Sequence, residues 1–395
     1  MKRNNLPPRG LSDRQISYND APALRLYQVW QGNNEFALRG RLIFGPDSRS
    51  LYLTISLIVV PVILFCSVVS QSLVNYFPDN IGLLLAIIPA VFTLYIIVLI
   101  FFVSARDPGI IPRKPPSQDI DDNWDPASLS ADWAPNRSNK FLAPTKSVNV
   151  NGMVVRVKFC QTCLIYRPPR CSHCSVCDNC VDRFDHHCPW VGQCIGKRNY
   201  RSFFMFVSST TLLCLYVFSM CWVNIIMIMR ENGSSIFEAF MKSPISGMLI
   251  TYTFTVSWFV GGLSAFHLYL VLTNQTTYEN FRNRYERRKN PFNRGCAYNF
   301  KEVFFSTKPR SQHDFRAFIK PEVYTQYNSS KYYMYAFSLN FSKNIYETES
   351  SIDGNELDLE RCETSGMDHS SKWATAPDLH RLASKFVVEN VARDK

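Results

Sequence analysis

Charge is missing from four long stretches of this chain, and that absence decides its class. Leu51–Val69, Ile81–Val103, Phe203–Met229 and Met248–Leu272 contain no Asp, Glu, Lys or Arg. A helix rising about 1.5 Å per residue needs roughly 20 residues to cross a hydrocarbon core of about 30 Å, and each stretch approaches or exceeds that length. Core helices of a soluble protein rarely run so far without a charge, so the pattern excludes a purely soluble fold and predicts four membrane spans. Pro61 and Pro89 lie inside the first two. Membrane helices tolerate this because neighbouring helices re-satisfy the freed backbone groups. The slightly negative mean hydropathy, −0.10, reflects the large polar segments around the spans. The first apolar run is too long for an h-region and follows a polar segment, so no cleaved signal peptide is expected. No internal repeat is visible.

Basic residues are absent from Gln71–Asn80, and Arg230–Gly247 has only Arg230 and Lys242. The first 50 residues, by contrast, carry eight Lys or Arg against four acids, and Arg106 to Arg201 carries many more. The positive-inside rule then puts both termini and the long central loop in the cytosol. The net charge of +11 is read as topology and attraction to anionic membrane lipid, with no nucleic acid implied. Which membrane, plasma membrane or an endomembrane (ER, Golgi, vesicles), has no signal here.

The chain divides into a cytosolic segment 1–50, spans one and two at 51–103, a cytosolic loop 104–202, spans three and four at 203–272, a cytosolic segment 273–341, and a tail 342–395. The loop holds a cysteine-rich part from about 158 to 208. It opens with Asp107-Pro108-Gly109 and an irregular proline-rich linker. Val148 to Val157 alternates around Asn151-Gly152, which predicts a β-hairpin leading into Cys160. The Ser-, Glu- and Asp-rich tail is expected to be disordered.

Of the thirteen cysteines, eight fall between Cys160 and Cys194. In a reducing compartment such density means metal or catalysis rather than disulfides. Cys160-x2-Cys163, His173-Cys174-x2-Cys177-x2-Cys180, Asp185-His186-His187-Cys188 and Cys194 contain donors for two tetrahedral zinc sites and more. A loop this poor in apolar residues needs such help, and a structural zinc supplies on the order of 10 kcal/mol of folding free energy. Eight ligands taken away leave Cys171, Cys188 and one histidine of the His186-His187 pair. Adjacent side chains do not easily serve one tetrahedron, so one histidine is free for chemistry. An Asp beside a His beside a Cys is a way to ionise a thiol, the imidazole taking the proton and the carboxylate steadying the imidazolium.

At these residues the chain resembles the Asp-His-His-Cys family of protein S-acyltransferases, the palmitoyltransferases. The resemblance covers residues 25 to about 305. It includes the cysteine array, Asp107-Pro108-Gly109, Thr276-Thr277-Tyr278-Glu279 and four spans with the loop between spans two and three. Tyr27-Gln28-Val29-Trp30 through Gly45-Pro46-Asp47 is similar to the plant branch. The resemblance implies an all-α polytopic membrane protein, four transmembrane helices with a cytosolic zinc-binding domain of short β-hairpins between helices two and three. It implies one structural zinc on Cys160, Cys163, His173 and Cys180, and a second on Cys174, Cys177, His187 and Cys194. It makes Cys188 the nucleophile that takes a long acyl chain from acyl-coenzyme A (palmitoyl-CoA), His186 its general base, Asp185 the residue orienting His186, and Thr277 the support for Asp185. Asn299 matches a structural asparagine of the family. Cys171 is given no role.

The implied reaction is ping-pong: Cys188 takes the acyl group, then passes it to a cytosolic cysteine of a membrane-associated protein. Gly261, Gly262, Phe259 and Tyr252 are candidates to line a slot for the chain, with ordinary helix packing the competing reading. Arg167, Arg170, Lys197 and Arg198 flank the cluster and are candidates for the coenzyme A phosphates, against lipid-headgroup contact. The run Arg282, Arg284, Arg287, Arg288, Lys289 is read as headgroup binding, and His267 as a satisfied polar residue. A non-enzymatic, membrane-anchored zinc-binding recruitment module is the alternative function. A nucleic-acid finger would need a recognition helix after its last ligand pair, where this chain instead enters span three. A zinc transporter would need ligands within the spans, which hold only Cys66, Cys214, Cys221 and His267.

Overall fold

The computed structural model of the protein describes residues 24–78, 80–114 and 145–319. Most of the proline-rich linker and the tail at 342–395 lie outside the described residues. A short hairpin, β1 (Glu35–Ala37) with β2 (Leu42–Phe44), comes first. Among the described residues, four helices are long and apolar enough to cross a membrane: α1 (Ser50–Tyr76), α2 (Ile81–Ser104), α3 (Tyr200–Asn232) and, after the short α4 (Ile236–Lys242), α5 (Pro244–Thr273). Helix α1 continues past the predicted end at Val69, so much of Gln71–Asn80 is helix rather than connection. At most 39 % of any span's apolar window is buried within the protein, and the remaining apolar surface requires a lipid solvent.

The prolines inside α1 and α2 show how the bundle is knitted. Pro61 has no N–H to offer the Leu57 carbonyl, and Pro89 has none for Leu85. The Tyr252 hydroxyl of α5 donates to the Leu57 oxygen at 2.7 Å, and the Tyr216 hydroxyl of α3 donates to the Leu85 oxygen at 2.7 Å. A π-helical turn, Phe65–Val69, follows Pro61 and lets α1 realign. Tyr252 thus packs against backbone. Gly261 lies against Thr211, while Phe259 is 64 % exposed and Gly262 has open space beside it.

The label all-α is loose, because the loop between α2 and α3 is built of β-hairpins. The predicted hairpin pairs β3 (Thr145–Val150) with β4 (Met153–Cys160), and β5 (Ile165–Tyr166) adds to β4. Then come β6 (Ser172–Cys174) with β7 (Asn179–Val181), and β8 (His186–Cys188) with β9 (Gln193–Ile195). These short hairpins share little apolar core; cysteines dominate what is buried among them.

Buried amides lock this domain to the spans. Gln193, fully buried, donates to the carbonyls of Ile43 at 3.1 Å and Ser104 at 3.4 Å. Asn199 donates to those of Val103 at 3.2 Å and Cys194 at 2.9 Å. Asp107 accepts from the N–H groups of Gly109 and Ile110, both at 2.8 Å, and pairs with Arg198 at 2.7 Å. After α5 the chain forms α6 (Thr277–Phe281) and α7 (Cys296–Phe305). Asn299, buried, donates to the Leu272 carbonyl at 2.7 Å and accepts from the Arg294 N–H at 3.0 Å, fastening α7 to the end of span four.

Candidate active site

Strand periodicity sorts the crowded Asp-His-His-Cys run. Successive side chains on a strand point to opposite faces, so His186 and Cys188 of β8 share one face and His187 takes the other. Cys188 is buried against the span cluster that includes Phe203 and Val191, while His187 turns toward Cys174, Cys177 and Cys194. The two-residue repeat thus separates the two histidines, His186 on the face of Cys188 and His187 on the face of the three sulfurs.

Asp185 is 1 % exposed, and its carboxylate has three partners. His186 Nδ1 lies 2.7 Å from one oxygen; the Thr277 hydroxyl donates to the same oxygen at 2.7 Å, and the Thr277 N–H donates to the other at 2.9 Å. Burial opposes charge on both members of the Asp–His pair, but their contact prevails. The hydrogen bond to His186 holds Asp185 below its usual range, and Asp185 together with the Cys188 thiol raises His186 to about 9. With Nδ1 occupied by Asp185, Nε2 is the ring nitrogen open to the thiol. Phe203 of α3 stands edge-on to the His186 ring with centroids 5.2 Å apart. Buried His267 stands 5.8 Å from that ring and shares a 3.2 Å hydrogen bond with the Tyr200 hydroxyl.

Each residue of Thr276-Thr277-Tyr278-Glu279 has a separate duty. Thr276 caps α6 by accepting from the Glu279 N–H at 3.1 Å, and Glu279 accepts from the Thr276 N–H at 3.0 Å, a reciprocal capping box. That box presents Thr277 to Asp185. Glu279 also receives Arg170 through two bonds, 2.7 and 3.1 Å, in a pair whose side chains are only 2 % and 7 % exposed. Tyr278 packs edge-on against Phe184.

Two sulfur-rich clusters flank this site. Cys160, Cys163, His173 and Cys180 form one and Cys174, Cys177, His187 and Cys194 the other, with all donor atoms of a group within 4.8 Å of one another. Around His187 Nδ1 the sulfurs of Cys177, Cys194 and Cys174 stand at 3.4, 3.5 and 3.8 Å. A zinc tetrahedron with Zn–S near 2.3 Å and Zn–N near 2.0 Å has edges of about 3.5–3.8 Å, so the donor spacing fits the ion. The mutual thiol hydrogen bonds pull one cysteine of each cluster, Cys160 or Cys174, below the usual thiol range and push its neighbour, Cys163 or Cys177, above it. The outer nitrogens meet carboxylates: His173 Nε2 is 3.4 Å from Asp178, and His187 Nε2 is 3.0 Å from Asp47.

The cations proposed for coenzyme A phosphates are placed differently. Arg170 is taken up by Glu279 and Asn274, and Arg198 by Asp107 and the Pro309 carbonyl, so these two offer no free guanidinium. Arg167 lies beside the Cys160 thiol. Lys197 pairs with Asp182 at 3.1 Å and is 46 % exposed, the most accessible of the four. Sequence reasoning missed Asp47, Asp178, Gln193 and the Arg170–Glu279 pair. Asp178 had a signal, its place between Cys177 and Cys180; the other partners are remote in the chain.

Residues 154–284 match the family described as DHHC palmitoyltransferase. The chain is 56 % identical over 302 residues to "Probable protein S-acyltransferase 7" of Arabidopsis thaliana, covering 76 % of this chain and 67 % of that protein. It is 54 % identical over 301 residues to "Probable protein S-acyltransferase 6" of the same plant, covering 76 % and 72 %. To "Protein S-acyltransferase 8", also from Arabidopsis thaliana, it is 54 % identical over 302 residues, covering 75 % and 73 %.

Proposed function

Because this chain belongs to the DHHC palmitoyltransferase family and is a protein S-acyltransferase, we propose that Cys188 carries a long acyl chain from acyl-coenzyme A to cysteines of membrane-associated proteins. One observation carries the assignment of roles. Asp185 grips His186 at 2.7 Å while Thr277 grips Asp185, and Cys188 shares the strand face of His186.

In the first step His186 Nε2 accepts the Cys188 proton and the thiolate attacks the acyl thioester carbon. The carbon–sulfur bond to coenzyme A breaks, and its thiolate leaves with the proton returned by the imidazolium. In the second step His186 takes the proton of the acceptor thiol, whose sulfur attacks the acyl carbon; the acyl–Sγ bond to Cys188 breaks, and the imidazolium returns the proton to the Cys188 thiolate. A thioester is exchanged for a thioester both times, so no external energy source is needed. Asp185 keeps Nδ1 protonated and steadies the imidazolium.

Zinc on the two cysteine–histidine sets would supply folding energy to a domain that buries few aliphatic side chains. We place this domain and both termini in the cytosol, as the charge asymmetry favours. The acyl chain gains about 0.8 kcal/mol per buried methylene, which favours its lying among the spans beneath Cys188. Half-exposed Lys197 is the leading phosphate contact among the flanking cations. A non-enzymatic recruitment module is not favoured, since the relatives are named as acyltransferases.

The test is incubation of the purified protein with alkyne-tagged palmitoyl-coenzyme A. Wild type should acquire a hydroxylamine-labile label that Cys188→Ser lacks, and equal labelling of both would overturn the assignment.

A further inference from the structure

We propose that Asp47 is the outer carboxylate of the second metal centre, fixing the ring of His187 and thereby tying metal retention there to the first membrane span. The inference rests on the zinc reading of the Cys174, Cys177, His187 and Cys194 set.

The two ring nitrogens of His187 face different neighbours. Nδ1 looks into the three sulfurs at 3.4 to 3.8 Å, and Nε2 meets the Asp47 carboxylate at 3.0 Å from 140 residues away. A neutral imidazole that gives one nitrogen to a metal carries its proton on the other, and a carboxylate accepting that proton sets both tautomer and ring angle. An exposed Asp–His contact elsewhere on a surface would contribute little. Here it acts on a ligand, where losing such a partner typically weakens metal affinity by about 10- to 100-fold.

The backbone around Asp47 is built for this approach. Gly192, with φ of +61°, sits so close that a Cβ there would lie 2.4 Å from the Asp47 carbonyl oxygen, and a Cβ on Gly45 would strike the Gly192 carbonyl oxygen at 2.2 Å. Two glycines thus press the Gly45-Pro46-Asp47 turn onto the turn that joins β8 to β9. The Asp47 carbonyl accepts from the Ser50 N–H at 3.0 Å, which sets the carboxylate at the doorstep of α1. The same start of α1 holds the chain just past Cys188: Ser50 donates to the Pro189 carbonyl, and Thr54 donates to that of Trp190 at 2.6 Å.

The first centre differs in one respect. Its outer carboxylate, Asp178, comes from the β6–β7 turn between its own ligands His173 and Cys180 and is held by Arg113 at 3.0 Å. The second centre instead borrows its carboxylate from the segment before the first span. Its outer sphere is therefore incomplete until that span and the zinc domain are docked.

The experiment uses full-length protein in detergent as wild type, Asp47→Asn, Asp47→Glu and Asp178→Asn. Zinc is withdrawn with graded chelator, and each cysteine is scored by alkylation and mass spectrometry. Asp47→Asn should expose Cys174, Cys177 and Cys194 at about 10- to 100-fold less chelator than wild type, with Cys160, Cys163 and Cys180 unchanged. Asp178→Asn should give the reverse order, and Asp47→Glu should recover part of the loss. Zinc withdrawal from Asp47→Asn within twofold of wild type, or loss from both sets together, overturns the inference. A wild-type protein that holds no zinc would instead overturn the metal reading beneath it.

Discussion

Thr277→Val removes one oxygen from the wall of the active site and nothing else of comparable size. The hydroxyl lost is the one that donates to the Asp185 carboxylate at 2.7 Å, while the backbone N–H at the same residue still reaches the other oxygen at 2.9 Å. Asp185 is buried and keeps its hydrogen bond to His186, so the ion stays partnered but its orientation is held by fewer contacts. A hydrogen bond to a charged group contributes about 1.5–3 kcal/mol, which corresponds to roughly 10- to 100-fold in rate if the contact is fully used in the transition state. Single-turnover formation of hydroxylamine-labile acyl-enzyme, measured in detergent with tagged palmitoyl-coenzyme A, reads this directly. Thr277→Val should fall by about one to two decades, and Thr277→Ser, which restores the oxygen, should recover most of it. Thr276→Val is the contrasting variant. It removes the cap of α6 and should cost about 1 kcal/mol of stability with a smaller change in rate. A folded, zinc-loaded Thr277→Val enzyme that acylates within twofold of wild type would refute the role given to this contact.

Arg170→Met leaves Glu279 charged and buried, and should destabilise by about 3–5 kcal/mol in thermal or denaturant unfolding, with Arg170→Met/Glu279→Leu recovering much of it. Tyr252→Phe strips the Leu57 carbonyl of its donor and should cost about 0.6–1.7 kcal/mol by thermal unfolding in detergent; the loss should shrink in a Pro61→Ala background, where residue 61 can donate instead. Gly192→Ala puts a methyl against the Asp47 carbonyl at a positive φ, and should lower the melting temperature by the equivalent of at least about 1–2 kcal/mol. Cys160→Ser should lower zinc content and folded yield together by metal analysis, whereas Cys188→Ser should hold as much zinc as wild type.

The spans were legible because absence of charge is a local property that a window of roughly 20 residues displays in full. The hairpin at Asn151-Gly152 was legible for the same reason, its turn chemistry being written in adjacent residues. The split between His186 and His187 was half legible. Ligand counting says one histidine is spare; only the β8 strand says that 186 and 188 share a face. Pro61 and Pro89 announced two orphan carbonyls, yet nothing in sequence pointed to Tyr252 and Tyr216 as the donors, since helix register decides which hydroxyl arrives.

Proximity in sequence misled where charge was concerned. Arg170 and Arg198 flank the cysteine cluster and look like free cations for a polyphosphate, but a guanidinium beside a buried carboxylate is consumed before any ligand arrives. Their partners, Glu279 and Asp107, lie 109 and 91 residues away, and both pairs fasten the cysteine-rich domain to membrane-proximal segments. Asp47 follows the same logic from the other side. The groups proposed to react come from one short run, Asp185 to Cys188, in which Asp185 holds its neighbour His186, but the contacts that anchor this run to the bundle are long-range: Thr277 after span four on Asp185, Asp47 before span one on His187, and Gln193 of the paired strand on the carbonyls of Ile43 and Ser104. A thiol chemistry that short segments can encode therefore depends on the whole bundle for its geometry. A variant that loosens span packing should slow acyl transfer even when Cys188, His186 and Asp185 are untouched.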